Sequence, residues 1–467
     1  MRTSANADSD ADARHLLRRI GFDPGPLGDE PPESATMTVL IDREVDRAAG
    51  RRQAATPPPD WVGEPVELPF ADQGLDEQAR RELRRKWMRR YGELQAWWLR
   101  EMLETPAPLA ERMTLFWAGR FTSSYRNVRW GQLLYRQNAM LRRHALGCYD
   151  QLLHELIRDP AMLLYLNGQQ NRKNEPNENF ARELLELFTL GEGHYTEADI
   201  RDAARAFTGA KLSPPQGDVE LKARQHDDGR KTVLGKSGNF DGDDVVDIIL
   251  GQPRAAEFVV ENLWREFVSP QPDAGAVKAL AAGFRRDWRI APLLKSLLGR
   301  PELLTQARQG TLVKSPVEFV VGTARQLDLP TTPMSLALAA GRMGQRLFDP
   351  PNVKGWPRGE DWITSEWLLQ RRQFVLALAG DLPTPTDEVD DDGPGTKEPG
   401  MRKAAKRPMR RQGLAVQRRF GEVGEALPPR GPELELLAFA PVLPPVEGAK
   451  PPDRLQTWLL DPVYQLK

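Results

Sequence analysis

Residues 176–199, "PNENFARELLELFTLGEGHYTEAD", set Glu178, Glu183 and Glu186, with Arg182 among them, into a stretch that otherwise has the spacing of a buried helix. At about 100° per residue, Phe180, Leu184, Leu187 and Phe188 share one face. Glu178, Arg182 and Glu186 follow one another at i, i+4 and i+8 on the polar side. That spacing makes an ion-pair ladder, each step contributing about 0.2–0.5 kcal/mol when exposed. Glu183 falls between Leu187 and Leu190, at the edge of the apolar arc. A carboxylate in that position must be paired, bind a cation or carry a raised pKa. Glu183 and Glu186 are one turn apart and could reach one cation, for which Arg182 competes as a guanidinium. Two readings follow: an inward acidic site, or a buried Arg–Glu network.

Few other side chains offer chemistry. The five histidines are His15, His144, His154, His194 and His226, and none stands in a His-Glu-x-x-His or His-x-His pattern. In the enzyme reading, Glu183 acts as base or ligand, and His144, His226, Asp227 and Glu186 complete an acid–base or metal site of a hydrolase. The competing reading of His226-Asp227-Asp228 is a loop stabilised by an Asx-turn. No cofactor is expected; a divalent metal remains open, with its ligands unknown. There is no P-loop, no Gly-x-Gly-x-x-Gly after a strand, no Gly-x-Ser-x-Gly and no Cys-x-x-Cys pair, which argues against the common nucleotide, hydrolase and zinc-finger classes. The single cysteine, Cys148, excludes an intramolecular disulfide and reads as a small core residue. "LFDPPNVKGWPRGEDWITSEWLLQRR" (347–372) is a stiff Pro/Trp loop feeding a helix, with Trp356 and Trp362 as a pocket wall or a structural plug.

The elements that must position these groups are mostly helical. Periodicity predicts helices near 11–21, 35–50, 75–104, 108–119, 130–146, 148–157 and 159–166, two across the opening segment, and more at 242–251, 254–268, 273–286, 289–298, 315–328, 333–347 and 365–379. Start signals are explicit: Asp159 before Pro160, Thr196 with Asp199, and Ser315 before Pro316 with Glu318. Gly191 and Gly193 end the acidic helix. Strand signals are confined to a short hairpin at 230–242. The fold class is therefore mainly α, a multi-helix globular bundle with a small β-hairpin excursion. A helical core is expected over 1–380, a flexible acidic-then-basic insert over 381–430, and a C-terminal segment over 431–467 that folds back on the core.

The chain has 467 residues, with 66 acidic against 65 basic, so no global field favours nucleic acid. The arginine-rich face of the 75–104 helix reads as solvated charge stacked on tryptophans. No run approaches the ~18 apolar residues of a membrane span. The N-terminus lacks the apolar core of a signal peptide, which makes the compartment cytoplasmic by default.

In order along the chain stand "HLLRRIGFDP", "RRHALGCYDQLL", "DPAMLLYLNG", "PNENFARELLELFTLGEGHYTEADIRDAARAFTG", "HDDGRKTVLG", "VKSPVEFVVG", "LFDPPNVKGWPRGEDWI" and "LLDPVYQL". Together they resemble the bacterial domain-of-unknown-function 1800 family over nearly the whole chain outside the insert. The resemblance implies no established activity. It implies a partner, an alkaline-phosphatase-like protein of the domain-of-unknown-function 1501 family, and leaves export with that partner open. It also exposes a departure. Where many members have Trp-His-Asn-His-Phe, this chain has Trp117-Ala118-Gly119-Arg120-Phe121. Arg120 puts a fixed positive charge where a cation would sit, and is expected to join Asn177, Glu178, Asn179 and Arg182 in a structural network. The expectation is thus a helical partner or scaffold protein, with a metal- or acid–base-dependent hydrolase as the alternative.

Overall fold

The computed structural model describes residues 4–23, 25, 36–66, 75–213, 215–305, 310–381, 415–425, 436–437, 442 and 450–467. Helices dominate, in the order α1 (Ser4–Ile20), α2 (Met37–Ala49), α3 (Glu77–Glu104), α4 (Pro108–Ala118), α5 (Tyr125–Val128), α6 (Gly131–His144), α7 (Tyr149–Leu156), α8 (Pro160–Tyr165), α9 (Asn179–Glu183), α10 (Glu197–Ala206), α11 (Gly242–Leu250), α12 (Pro253–Phe267), α13 (Ala274–Phe284), α14 (Ile290–Leu298), α15 (Pro316–Gln326), α16 (Pro333–Arg342) and α17 (Ser365–Ala379), followed by a helical stretch at 415–425 and a terminal helix (Pro451–Leu460). Among the described residues, no helix is long and apolar enough to cross a membrane.

Local chemistry sets the helix ends. Asp159 accepts from the Met162 amide at 2.7 Å ahead of Pro160. Thr196 and Asp199, Asp241 and Asp244, and Ser315 and Glu318 each form a reciprocal capping box.

The helices enclose two apolar cores. The first gathers α1, α2, α7 and α10–α14, with the second half of α6. The second gathers the latter half of α3 with α15, α16, α17 and the terminal helix. Helix α4 is the seam: Phe116 and Trp117 point into the first core, Leu115 into the second, and Ala118 touches both. A buried ion pair reinforces the seam. Glu111 of α4 accepts from Arg142 of α6 at 2.5 and 2.8 Å and from the Trp98 indole of α3 at 2.8 Å.

Two antiparallel hairpins complete the fold. The expected one pairs Lys231–Val233 with Lys236–Gly238, and Leu234 and Gly235 turn it with φ of 47° and 79°. That is the mirror-image two-residue turn whose twist suits a hairpin. The other pairs Ala210–Ser213 with Asp218–Leu221 and adds a second small hairpin to the expected one. Its strands have four residues each and bury only Leu212, so no period-2 apolar signal marks them.

Most of the expected insert, residues 382–414 and 426–430, lies outside the described residues. Within it, 415–425 is helical and buries Val416, Phe420 and Val423 in the second core, at i, i+4 and i+7. The chain end packs on α15 and α17. Lys314 N–H donates to the Gln465 carbonyl at 2.7 Å, Lys467 N–H to that of Leu312 at 2.8 Å, and the Tyr464 hydroxyl meets Thr323 Oγ1 at 2.7 Å.

Candidate functional site

The acidic segment is not one regular helix. After α9 the chain widens into a π turn, Leu184–Thr189, in which the Leu190 amide reaches back five residues to the Leu185 carbonyl at 3.0 Å. Thr189 Oγ1 also donates to the Leu184 carbonyl at 2.6 Å, a side-chain bond within the same turn. Single π turns inside helices recur at functional sites. The extra residue displaces everything beyond Leu184 from the regular wheel and removes the last rung of the expected ladder. Arg182 pairs with Glu178 at 3.0 Å and with both oxygens of Glu197 at 2.8 Å. Glu186 instead accepts from the Tyr195 hydroxyl at 2.7 Å. Asn177 accepts from the Asn179 amide at 3.0 Å, and its own amide donates to Asn171 Oδ1 at 2.9 Å, so the asparagines fold the entry to α9.

Glu183 is half-buried. Desolvation raises its carboxyl above the ordinary value, and the Glu186 charge adds to this; Arg182 and Lys354 oppose it. Tyr165, at the end of α8, is raised first by burial and then by the Glu183 charge. The charges of Glu183 and Tyr165 therefore influence each other, and Lys354 acts on Glu183 more weakly.

The remaining candidates are not brought to Glu183. Buried His144 meets Glu155 of α7 at 2.8 Å. His226 Nδ1 lies 3.0 Å from the Thr208 carbonyl. Asp227 accepts from Arg205 at 2.8 Å and from the Gly229 amide at 2.8 Å, the Asx-turn geometry, and the Arg205 bond holds its carboxyl down at about 2. Among the described residues, no three His, Cys, Asp or Glu side chains gather as a cation would require. The five-residue constellation of the enzyme reading is therefore split between separate parts of the molecule.

Arg120 also stands apart from the 177–182 network. It leaves the C-terminal end of α4 and lies over the Phe116 ring, 5.2 Å from its centre. Its charged neighbours are Arg358, Glu266 and Arg265. The Pro/Trp loop brings Arg358 there. Gly355 has φ of 93°, and a Cβ on it would lie 2.4 Å from the Gly119 carbonyl, so only glycine lets the loop cross the end of α4. Arg358 then donates to that carbonyl at 2.7 Å. Thr122 donates to the Val353 carbonyl at 2.8 Å, which pins the same loop. Buried Trp356 and Trp362 line the cleft of about 420 Å³ that results.

The chain belongs to the DUF1800 family. The family model, described as a protein of unknown function, matches residues 15–440. Comparison with curated proteins and with solved structures gives no match. Within this DUF1800 chain, sequence reasoning missed the charged floor of the cleft. Arg112 of α4 pairs with Glu318 and, at 2.6 Å, with Glu266, and Lys467 joins both carboxylates. These four residues lie far apart in the chain, and no local pattern connects them. Arg358 had a signal, since it follows the Trp356-Pro357 wall directly.

Proposed function

We propose that this DUF1800 chain is a helical partner protein that binds a protein segment and does not transform it. The observation that carries this reading is a groove of about 430 Å³ along α3. Leu83, Trp87 and Met88 form its floor with Tyr91 and Tyr125, whose rings stack at 4.2 Å. Met88 is 59% exposed although it sits among aromatic rings. Five exposed arginines line the groove: Arg80, Arg84, Arg126, Arg129 and Arg346. The one acid of the lining, Asp349, is buried and already held by Arg126 at 2.8 Å and Ser124 at 2.6 Å. Arg129 has φ of 64°, left-handed backbone that places its guanidinium 6.0 Å from the centre of the Trp87 ring. An apolar floor rimmed by exposed arginines suits an acidic segment with a few apolar anchors. The alkaline-phosphatase-like protein implied by the family resemblance is the partner we assign to it.

Co-expression with that neighbour tests the reading. The two proteins should elute together, and Trp87→Ala should separate them with the circular dichroism of this chain unchanged. A pair that never associates at micromolar concentration ends the proposal, as does a groove that binds DNA or RNA in preference to the neighbour.

A second reading has one observation of its own. The raised carboxyl of Glu183, at the end of α9 directly before the π turn and within electrostatic reach of Tyr165, is suited to proton transfer. Under it, Glu183→Gln abolishes a hydrolytic activity without loss of stability; under the partner reading, the substitution leaves binding intact.

A further inference from the structure

Among the described residues, two guanidinium groups that line the cleft between α4 and the Pro/Trp loop, Arg120 and Arg358, touch no carboxylate. The cleft floor is closed electrostatically: Arg112 and Lys467 supply two positive charges, Glu318 and Glu266 two negative ones, in one connected network. Arg265 is matched on its own helix by Glu261 at 3.6 Å. Glu360 and Asp361 also belong to the lining but are exposed on the loop, and among the described residues neither is ion-paired with Arg120 or Arg358. Among the described residues, Arg120 has no hydrogen bond or ion pair, only the Phe116 ring. Arg358 donates to two carbonyls, of Gly119 at 2.7 Å and Lys354 at 3.3 Å, and to no carboxylate. Burial pushes the Arg120 guanidinium well below its ordinary value, and the Arg358 charge pushes it further. Two like-charged guanidinium groups in one cleft, neither bonded to a carboxylate, are an arrangement that a dianion stabilises. Beside them stand flat apolar surfaces, Phe116, Trp356 and Trp362.

We propose that this cleft binds a small phosphate or sulfate monoester carrying a flat ring, with Arg120 and Arg358 holding the oxyanion and the aromatic wall packing the ring. Planar guanidinium forks match the edges of a tetrahedral oxyanion, and a volume of about 420 Å³ is in the range of small-ligand sites. The site shares no lining residue with the α3 groove and stands or falls independently of the partner reading. The competing role for Arg120 is structural, a cation beside the carbonyl end of α4.

Calorimetric titration of the full chain with phenyl phosphate, phenyl sulfate and inorganic phosphate tests the site. Phenyl phosphate or phenyl sulfate should bind, more tightly than inorganic phosphate and less tightly as salt rises. Whichever ester binds identifies the headgroup. Arg120→Gln and Arg358→Gln should each weaken binding about tenfold or more. Without ligand, Arg120→Gln should melt no lower than wild type, because it removes a buried, repelled charge. No binding of any of the three at about 10 mM, far weaker than a site of this kind should show, would overturn the proposal. Binding that both variants retain would do the same. An Arg120→Gln protein that melts lower and binds phenyl phosphate undiminished would assign Arg120 to α4 alone. Should Arg120→Gln fail to fold, Arg358→Gln decides the matter, read as lost binding with the circular dichroism of the chain unchanged.

Discussion

Removing Glu111 should cost far more than removing Glu111 and Arg142 together. Both side chains are fully buried at the seam, and their contacts tie α4 to α6 and, through Trp98, to α3. Arg142 also donates to Asn138 at 2.8 Å and lies 5.3 Å from the centre of the Trp97 ring. Burial alone would lower its guanidinium, but Glu111 outweighs this and leaves it raised. Glu111→Ala therefore strands a charge with no other carboxylate bonded to it, a change that costs about 3–5 kcal/mol. Glu111→Leu combined with Arg142→Met removes both charges and fills similar volume. Its cost reduces to the unsatisfied Trp98 indole N–H and the lost Asn138 bond, about 1–2 kcal/mol in all. Denaturant unfolding, followed through tryptophan fluorescence, should show the double variant more stable than the single one by about 1–4 kcal/mol. Equal losses in the two proteins would mean that packing, not the uncompensated charge, governs this seam, and the electrostatic reasoning would be refuted.

Two further outcomes follow from the geometry. Burial raises the Asp159 carboxyl from 3.8 to about 7, even though the Met162 amide and Gln137 hydrogen-bond to it. The folded chain then binds a proton that the unfolded chain has lost, so this residue's contribution falls as pH rises from about 4 to about 7 and is constant above that. The drop is at most about 4 kcal/mol. Asp159→Asn keeps a capping oxygen and should match wild type near pH 4 but melt higher at pH 8; a melting difference independent of pH would contradict this. Ser315→Ala removes the side-chain acceptor for the Glu318 amide and should cost about 1 kcal/mol in denaturant unfolding, with no change in helix content.

What the sequence revealed follows the range of each interaction. Helix starts at Asp159, Thr196 and Ser315 depend on residues three or four apart, and each is written in the chain as a unit. Amphipathic spacing located the helices for the same reason. The π turn at Leu184 was hidden because Leu184-Leu185-Glu186-Leu187-Phe188 fits a regular wheel equally well. His144 and His226 could be named but not placed, since their partners, Glu155 and Thr208, are fixed by packing of separate helices and loops. The cleft was legible only at its wall. Trp356 and Trp362 stood out by type, whereas pairing Arg112 with Glu318 and Lys467 requires the chain end to return to α15.

The central claim is that α3 presents an arginine-lined, apolar groove to an acidic partner. The most direct measurement is the affinity of the purified alkaline-phosphatase-like neighbour for wild-type chain and for Arg84→Glu/Arg129→Glu, each at low and at high salt. A groove of this kind predicts micromolar or tighter binding that weakens with salt, and a loss of about tenfold or more in the charge-reversed protein. Binding of equal strength to both proteins, or to neither, would contradict it.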